Sequence, residues 1–164
     1  VALMRGGRIV QVGTPSDIMR RPNSLFAAEF VRSENVFHGT AECEGEYSRV
    51  RIAGTEIVVH TRVTGSIVAT VRPDDVHVGG PDAPDDATAV MIKGTVIHLE
   101  DRGHGFAVRT QGELPLTALV SRPRMQRLNI RKGDHVLLGV SPATVHVFQS
   151  PREAPSVVDT SALS

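Results

Sequence analysis

Five cations, Arg122, Arg124, Arg127, Arg131 and Lys132, fall within residues 121–132, and Ser121 heads the run. Guanidinium forks and a hydroxyl are donors, and a tetrahedral dianion needs several donors and no acceptors. Ser121, Arg122 and Arg124 are therefore the candidate oxyanion-binding residues of this stretch. The same charges would equally serve a solvated loop, or a surface that docks on a partner subunit.

The seven histidines, His38, His60, His77, His98, His104, His135 and His146, invite a metal reading. None is paired at ligand spacing with cysteine or another histidine on one element, and only His98 and His104 are close, across a turn carrying Glu100 and Asp101. Structural roles are the better reading, and no metal site is expected. Cys43 stands alone, which excludes a disulfide within the chain and a multi-cysteine zinc site; it fits a reducing compartment. It has no base near it in sequence, and no serine lies in a nucleophile elbow, so nucleophilic catalysis has no candidate.

These groups must be positioned by a chain of 164 residues, long enough for one domain or two small ones. Lys plus Arg equals Asp plus Glu, at 18 each, so any anion binding must come from a local cluster. Single-strand nucleic-acid readers on small barrels stack bases on aromatics within a basic groove. One tyrosine, five phenylalanines and zero net charge make no such platform, and a nucleic-acid module is only a remote alternative. No apolar run approaches the ~20 residues of a membrane helix, and Val1–Met4 is too short for a signal peptide. The chain opens on a valine and becomes apolar at once, which we read as the tail of a longer protein.

An internal repeat organises the rest. VRPDDVHV (71–78) and VSPATVHV (140–147) agree at five of eight places, 69 positions apart. Gly39-Thr40 opens the stretch before the first copy and Gly94-Thr95 the stretch before the second. Valine, isoleucine and threonine with 15 glycines and 10 prolines predict short strands joined by tight turns. The strands expected are 8–12, 47–52, 56–61, 66–71, 90–99, 106–109, 116–120, 135–140 and 144–148. Gly6-Gly7 reads as a hairpin turn. Thr14-Pro15-Ser16-Asp17 reads as a helix start with Thr14 as N-cap, and Asn23 as the cap of a second short helix over 24–31. Residues 121–130 are expected as an irregular loop or one helical turn, with Leu128 and Ile130 inward.

MRGGRIVQVGTPSDIMRRPNSLFAAEFVRSENVFHG, residues 4–39, resembles the segment that follows the nucleotide-binding fold in ATP-binding subunits of ABC importers. Gly7, Ile9, Gln11, Gly13, Pro15, Pro22, Phe26, Ala28, Phe30 and Asn35 stand where that pattern expects them. Residues Ile92 to Phe148 resemble a TOBE domain; in particular ALVSRPRMQRLNIRKGDHVLLGVSPATVHVF, residues 118–148, is similar to the molybdate and tungstate branch, and VRPDDV to the closing signature of sugar-type importers. The resemblance implies a mostly β fold, with short N-terminal helices followed by tandem OB-like (TOBE) small β-barrel modules, either two barrels or one composite barrel. It divides the chain into 1–35 (end of the nucleotide-binding domain), 36–80 (first β module), 81–89 (linker), 90–148 (second β module) and 149–164 (tail).

What the resemblance implies for function is a regulatory, dimer-stabilising region of an ABC importer ATPase, which senses a transported oxyanion in some members. The alternative is a ligand-free interaction module. The expected partners are a second copy of itself, membrane-spanning permease subunits and a small oxyanion, at the cytoplasmic face of the membrane. No G-x-x-x-x-G-K-[ST] loop occurs, so this stretch is not an enzyme by itself, and ATP and Mg belong to a full-length parent. The branch also predicts anion donors where this chain has Ala87, Ala89 and Ser141, of which only Ser141 keeps a hydroxyl. Ser141 joins Ser121, Arg122 and Arg124 as a candidate ligand residue on that basis.

Overall fold

A computed structural model describes residues 1–31, 33–79 and 89–150. The expected linker 81–89 and tail 149–164 lie almost wholly outside these residues. The chain begins with a hairpin, β1 (Ala2–Arg5) and β2 (Arg8–Val12), turned at Gly6 and Gly7, both with positive φ. Helix α1 (Pro15–Arg20) opens on a capping box: Asp17 N–H donates to Thr14 Oγ1 at 3.1 Å, and Thr14 N–H donates to the Asp17 carboxylate at 3.0 Å. Helix α2 (Leu25–Phe30) is capped by Ser24, whose Oγ accepts from Ala27 N–H at 3.2 Å. Asn23, the cap expected from sequence, instead donates its Nδ2 to the Val10 carbonyl and ties the helices to the hairpin.

Ten further strands make two five-stranded sheets. From the first half come β3 (Asn35–Glu44), β4 (Tyr47–Ile52), β5 (Thr55–Val59), β6 (Gly65–Val71) and β7 (Val76–Gly79). The second half supplies β8 (Val90–Asp101), β9 (Gly105–Gly112), β10 (Thr117–Ser121), helix α3 (Arg122–Leu128), β11 (His135–Val140) and β12 (His146–Gln149). The order in one sheet is β12-β6-β3-β4-β5, and in the other β10-β9-β8-β11-β7. Each half thus gives its closing strand to the other half's sheet: Val78 pairs with Leu138 in β11, and Val147 with Ala69 in β6.

The V-x-P-x-x-V-H-V repeat is the device that makes this exchange. Its first valine, Val71 or Val140, ends a strand of one sheet. The proline starts a 3₁₀ turn, Pro73–Asp75 or Pro142–Thr144, because its ring presets φ and its missing N–H is no loss there. The chain then enters the other sheet with valines inward; Val76, Val78, Val145 and Val147 are all buried, and His77 between two of them is exposed. One apolar core runs through both sheets as a result, from Ala41 and Val50 to Leu138 and Val140.

The repeated Gly-Thr also has a packing reason. A Cβ on Gly39 would lie 2.3 Å from the Arg51 carbonyl, and one on Gly94 would lie 3.0 Å from the Thr110 side chain. The strands coil tightly enough at these points for neighbours to occupy the space of a side chain. Residues 122–128 are a full helix rather than a loop, with Pro123 in its first turn and Asn129 ending it at φ 47°. Leu128 and Ile130 pack on the core.

Candidate functional site

Ser121 is the last residue of β10 and the N-cap of α3, exposed and with no capping bond from its side chain. Arg122 runs back from the helix to the β8–β9 turn. Its Nη2 lies 2.7 and 2.8 Å from the two Asp101 oxygens, its Nε donates to the Gly103 carbonyl at 2.9 Å, and its guanidinium lies 5.3 Å from the Phe106 ring centre. The Gly103 amide and then Arg122 hold the Asp101 carboxyl below its usual range. Arg124 turns the other way and donates to the Val78 carbonyl in β7 at 3.0 Å. The two arginines are struts that fix α3 to different strands, and Asp101 already occupies one edge of the Arg122 fork.

Ser141 starts the second 3₁₀ turn, and its carbonyl accepts from Thr144 N–H and Oγ1. It directly follows Val140, which pairs with Val76 at the start of β7, whereas Arg124 bonds to Val78 two residues further along that strand and Arg122 is held at the β8–β9 turn. Ala89 precedes β8 without a donor side chain, and Ala87 lies outside the described residues. Among the described residues no three His, Cys, Asp or Glu side chains gather as a metal would need. Cys43 is exposed.

The residues that sequence reasoning missed join the N-terminal segment to the first barrel and the two barrels to each other. Asn35 is 1% exposed and makes a two-way bridge: its Nδ2 donates to the Thr117 carbonyl at 2.8 Å, and Thr117 N–H donates to its Oδ1 at 2.7 Å. Beside it Arg102 pairs with Glu34 and with Glu100, and these two carboxylates hold the guanidinium in its charged form. His146 Nε2 lies 2.9 Å from the Pro22 carbonyl. Burial lowers the pKa of that imidazole. Ala28 of α2 packs on Val68 and Phe148 of the first sheet. The family pattern placed an asparagine at position 35, but nothing in the sequence pointed to its partner 82 residues away.

Two strand-exchanged, five-stranded β-sheets that curl into barrels define an OB-like module, and the groups described above offer no catalytic constellation. Residues 69–148 match the TOBE domain family, a non-catalytic region, so the chain carries a TOBE domain. The match begins inside β6 and therefore includes β7, the strand that the first half lends to the second barrel. The chain is similar to ATP-binding subunits of ABC importers. It is 35% identical over 156 residues to the spermidine/putrescine import ATP-binding protein PotA of Thermobifida fusca, covering 90% of this chain and 40% of that protein. It is 29% identical over 150 residues to the molybdate/tungstate import ATP-binding protein WtpC of Pyrococcus horikoshii, covering 90% of this chain and 42% of that one. The chain thus spans less than half the length of these relatives. Among solved structures, the cytoplasmic molybdate-binding protein ModG with molybdate bound has the same fold, at a TM-score of 0.58 and 18% identity over 71% of this chain and 96% of that one. Among the described residues no helix is long and apolar enough to cross a membrane.

Proposed function

We propose that this chain is the regulatory, dimer-stabilising C-terminal region of an ABC importer ATP-binding subunit, acting as a mechanical coupling module. The observation that carries the reading is the joint: the N-terminal hairpin and helices are bonded to the first barrel through Pro22–His146, and β3 of the first barrel is bonded to β10 of the second through Asn35–Thr117. The N-terminal segment is thereby tied to the first barrel directly and to the second through β3 and the core that the barrels share. In the full-length protein the barrels of two copies pair, on the cytoplasmic face beneath the permease subunits. ATP and Mg belong to other parts of the parent, in keeping with the lack of a G-x-x-x-x-G-K-[ST] loop in this sequence.

The similarity supports coupling more than sensing. A cationic polyamine and an oxyanion are the cargoes named for the two relatives above, so one module accompanies cargo of opposite charge. A transported ion could shift the dimer only by preferring one of its states. Sedimentation of the chain over a wide concentration range tests the pairing; a strict monomer at high concentration sinks it.

The basic cluster favours a second reading, in which Ser121, Arg122, Arg124 and Ser141 also take an oxyanion. Asp101 competes with that ligand for Arg122. Calorimetry with molybdate, tungstate and sulfate on the wild type, Asp101→Asn and Arg122→Ala decides it. Sensing through the loop requires affinity that rises in Asp101→Asn and vanishes in Arg122→Ala; heat that survives Arg122→Ala excludes it.

A further inference from the structure

The two barrels are built from matching parts, yet only one is sealed. In the second barrel the edge strands β10 and β7 lie against each other, with the 3₁₀ turn Pro73–Asp75 packed on β10. Helix α3 completes the seal, because Arg124 donates to the Val78 carbonyl on β7. In the first barrel β5 meets the 3₁₀ turn Pro142–Thr144, and no helix follows β5. Val147, the counterpart of Val78 at 69 positions' distance, lines the gap instead, and no side chain of the described residues donates to its carbonyl.

That gap is a groove of about 1090 Å³ along β5 on one side and residues 142–147 on the other. It is far too large for a tetrahedral oxyanion and lies at the top of the range for ligand sites. Both walls are edge strands, which present backbone donors and acceptors in a row. Val58 and Tyr47 stand 50% and 52% exposed beside it. Its rim is basic: Arg20, Arg21 and Arg72 line it, with Arg72 already paired to Asp74 at 2.8 Å. The guanidinium groups of Arg20 and Arg21 make no hydrogen bond or ion pair among the described residues. Of the two acids there, Glu56 is neutralised by Arg49 and Arg51 at 3.2 Å each, which leaves Asp75. Strand addition draws its affinity from main-chain hydrogen bonds and its specificity from flanking side chains.

We propose that the open seam of the first barrel, between β5 and the turn into β12, docks an extended acidic segment of a partner protein. The segment pairs with β5, covers Val58 and Tyr47, and places its carboxylates against Arg20 and Arg21. It does for this barrel what α3 does for its twin. The inference is independent of whether two copies pair or an oxyanion binds.

Amide NMR of the full chain, titrated at low salt with poly-L-glutamate of roughly strand-spanning length, tests it. The expected shifts fall on residues 55–61 and 145–147, and an Arg20→Glu/Arg21→Glu variant weakens binding at least about tenfold. Unshifted amides in the second barrel of that variant show that it remains folded. Val58→Asp, an exposed change that opposes the acidic segment, gives the same loss by another route. The proposal is overturned by no shifts at the seam, by shifts centred on Ser121–Lys132, or by equal binding of poly-L-lysine. It is equally overturned if inorganic phosphate saturates the same amides as tightly, which makes the seam a small-anion site. Shifts that appear with protein concentration alone assign the seam to a second copy and also overturn it.

Discussion

Asn35→Ala is the sharpest perturbation of the joint. The side chain is buried and joined to both backbone polar groups of Thr117, itself 8% exposed, at 2.8 and 2.7 Å. Truncation removes two hydrogen bonds and leaves a buried N–H and C=O without partners, at about 1–3 kcal/mol each. Partial entry of water into the vacated space places the sum near about 3 kcal/mol. For a chain of 164 residues, about 2–4 °C per kcal/mol gives a fall in Tm of roughly 6–12 °C. Calorimetry measures it, and urea unfolding with an unchanged slope shows that the native state is the one affected. Asn35→Asp separates the two bonds: it keeps an acceptor for Thr117 N–H but sets a carboxylate against the Thr117 carbonyl. Its folded pKa is thereby raised, so its stability deficit deepens as pH rises above about 4. An Asn35→Ala protein that melts within a degree of the wild type refutes the bridge as the joint between β3 and β10.

Three other outcomes follow from the same structure. A chain cut after Gly79 lacks β12 and leaves β7 without β11, so circular dichroism and amide dispersion should find it unfolded; a folded 1–79 fragment contradicts the exchange. Gly39→Ala puts a Cβ 2.3 Å from a backbone oxygen and should cost about 1–3 kcal/mol. Gly45→Ala, in open space at φ +67°, should cost about 1 kcal/mol or less, and urea midpoints rank the two. The His146 pKa is lowered chiefly by burial, so the unfolded chain binds the extra proton. Stability is then full above the ordinary value of about 6.5 and falls as pH drops below it. His146→Gln should flatten that part of the curve of Tm against pH, and an unchanged slope counts against the assignment.

Local structure was legible where local physics decides it. Strands β2, β4 and β11 have the limits that alternation and turn residues predicted, and Thr14 and Asp17 form the cap their types and spacing called for. At α2 two adjacent residues could both cap, and the backbone geometry chose Ser24 and sent Asn23 to Val10. Helix α3 was underread because its proline and basic residues hid a helix that gains its stability by packing Met125 and Leu128 on the core. The Ser121–Lys132 cluster was visible as charge, but its electrostatic role was not, because Asp101 meets Arg122 only after β8 and β9 have folded back.

By itself the sequence determined a mostly β chain in two halves, each with a Gly-Thr opening and a V-x-P-x-x-V-H-V close, and its resemblance to the TOBE region of ABC importer ATPases. The repeat's period carries no statement about which sheet each closing strand joins, since both sheets present the same alternating valines to it. Only the tertiary structure decided that the strands cross over, because burying Val76, Val78, Val145 and Val147 in the opposite sheet is a long-range contact that no window of sequence contains. The asymmetry between the halves comes from the same source. Helix α3 follows β10 and no helix follows β5, so equivalent strands end with one barrel sealed and its twin open along β5.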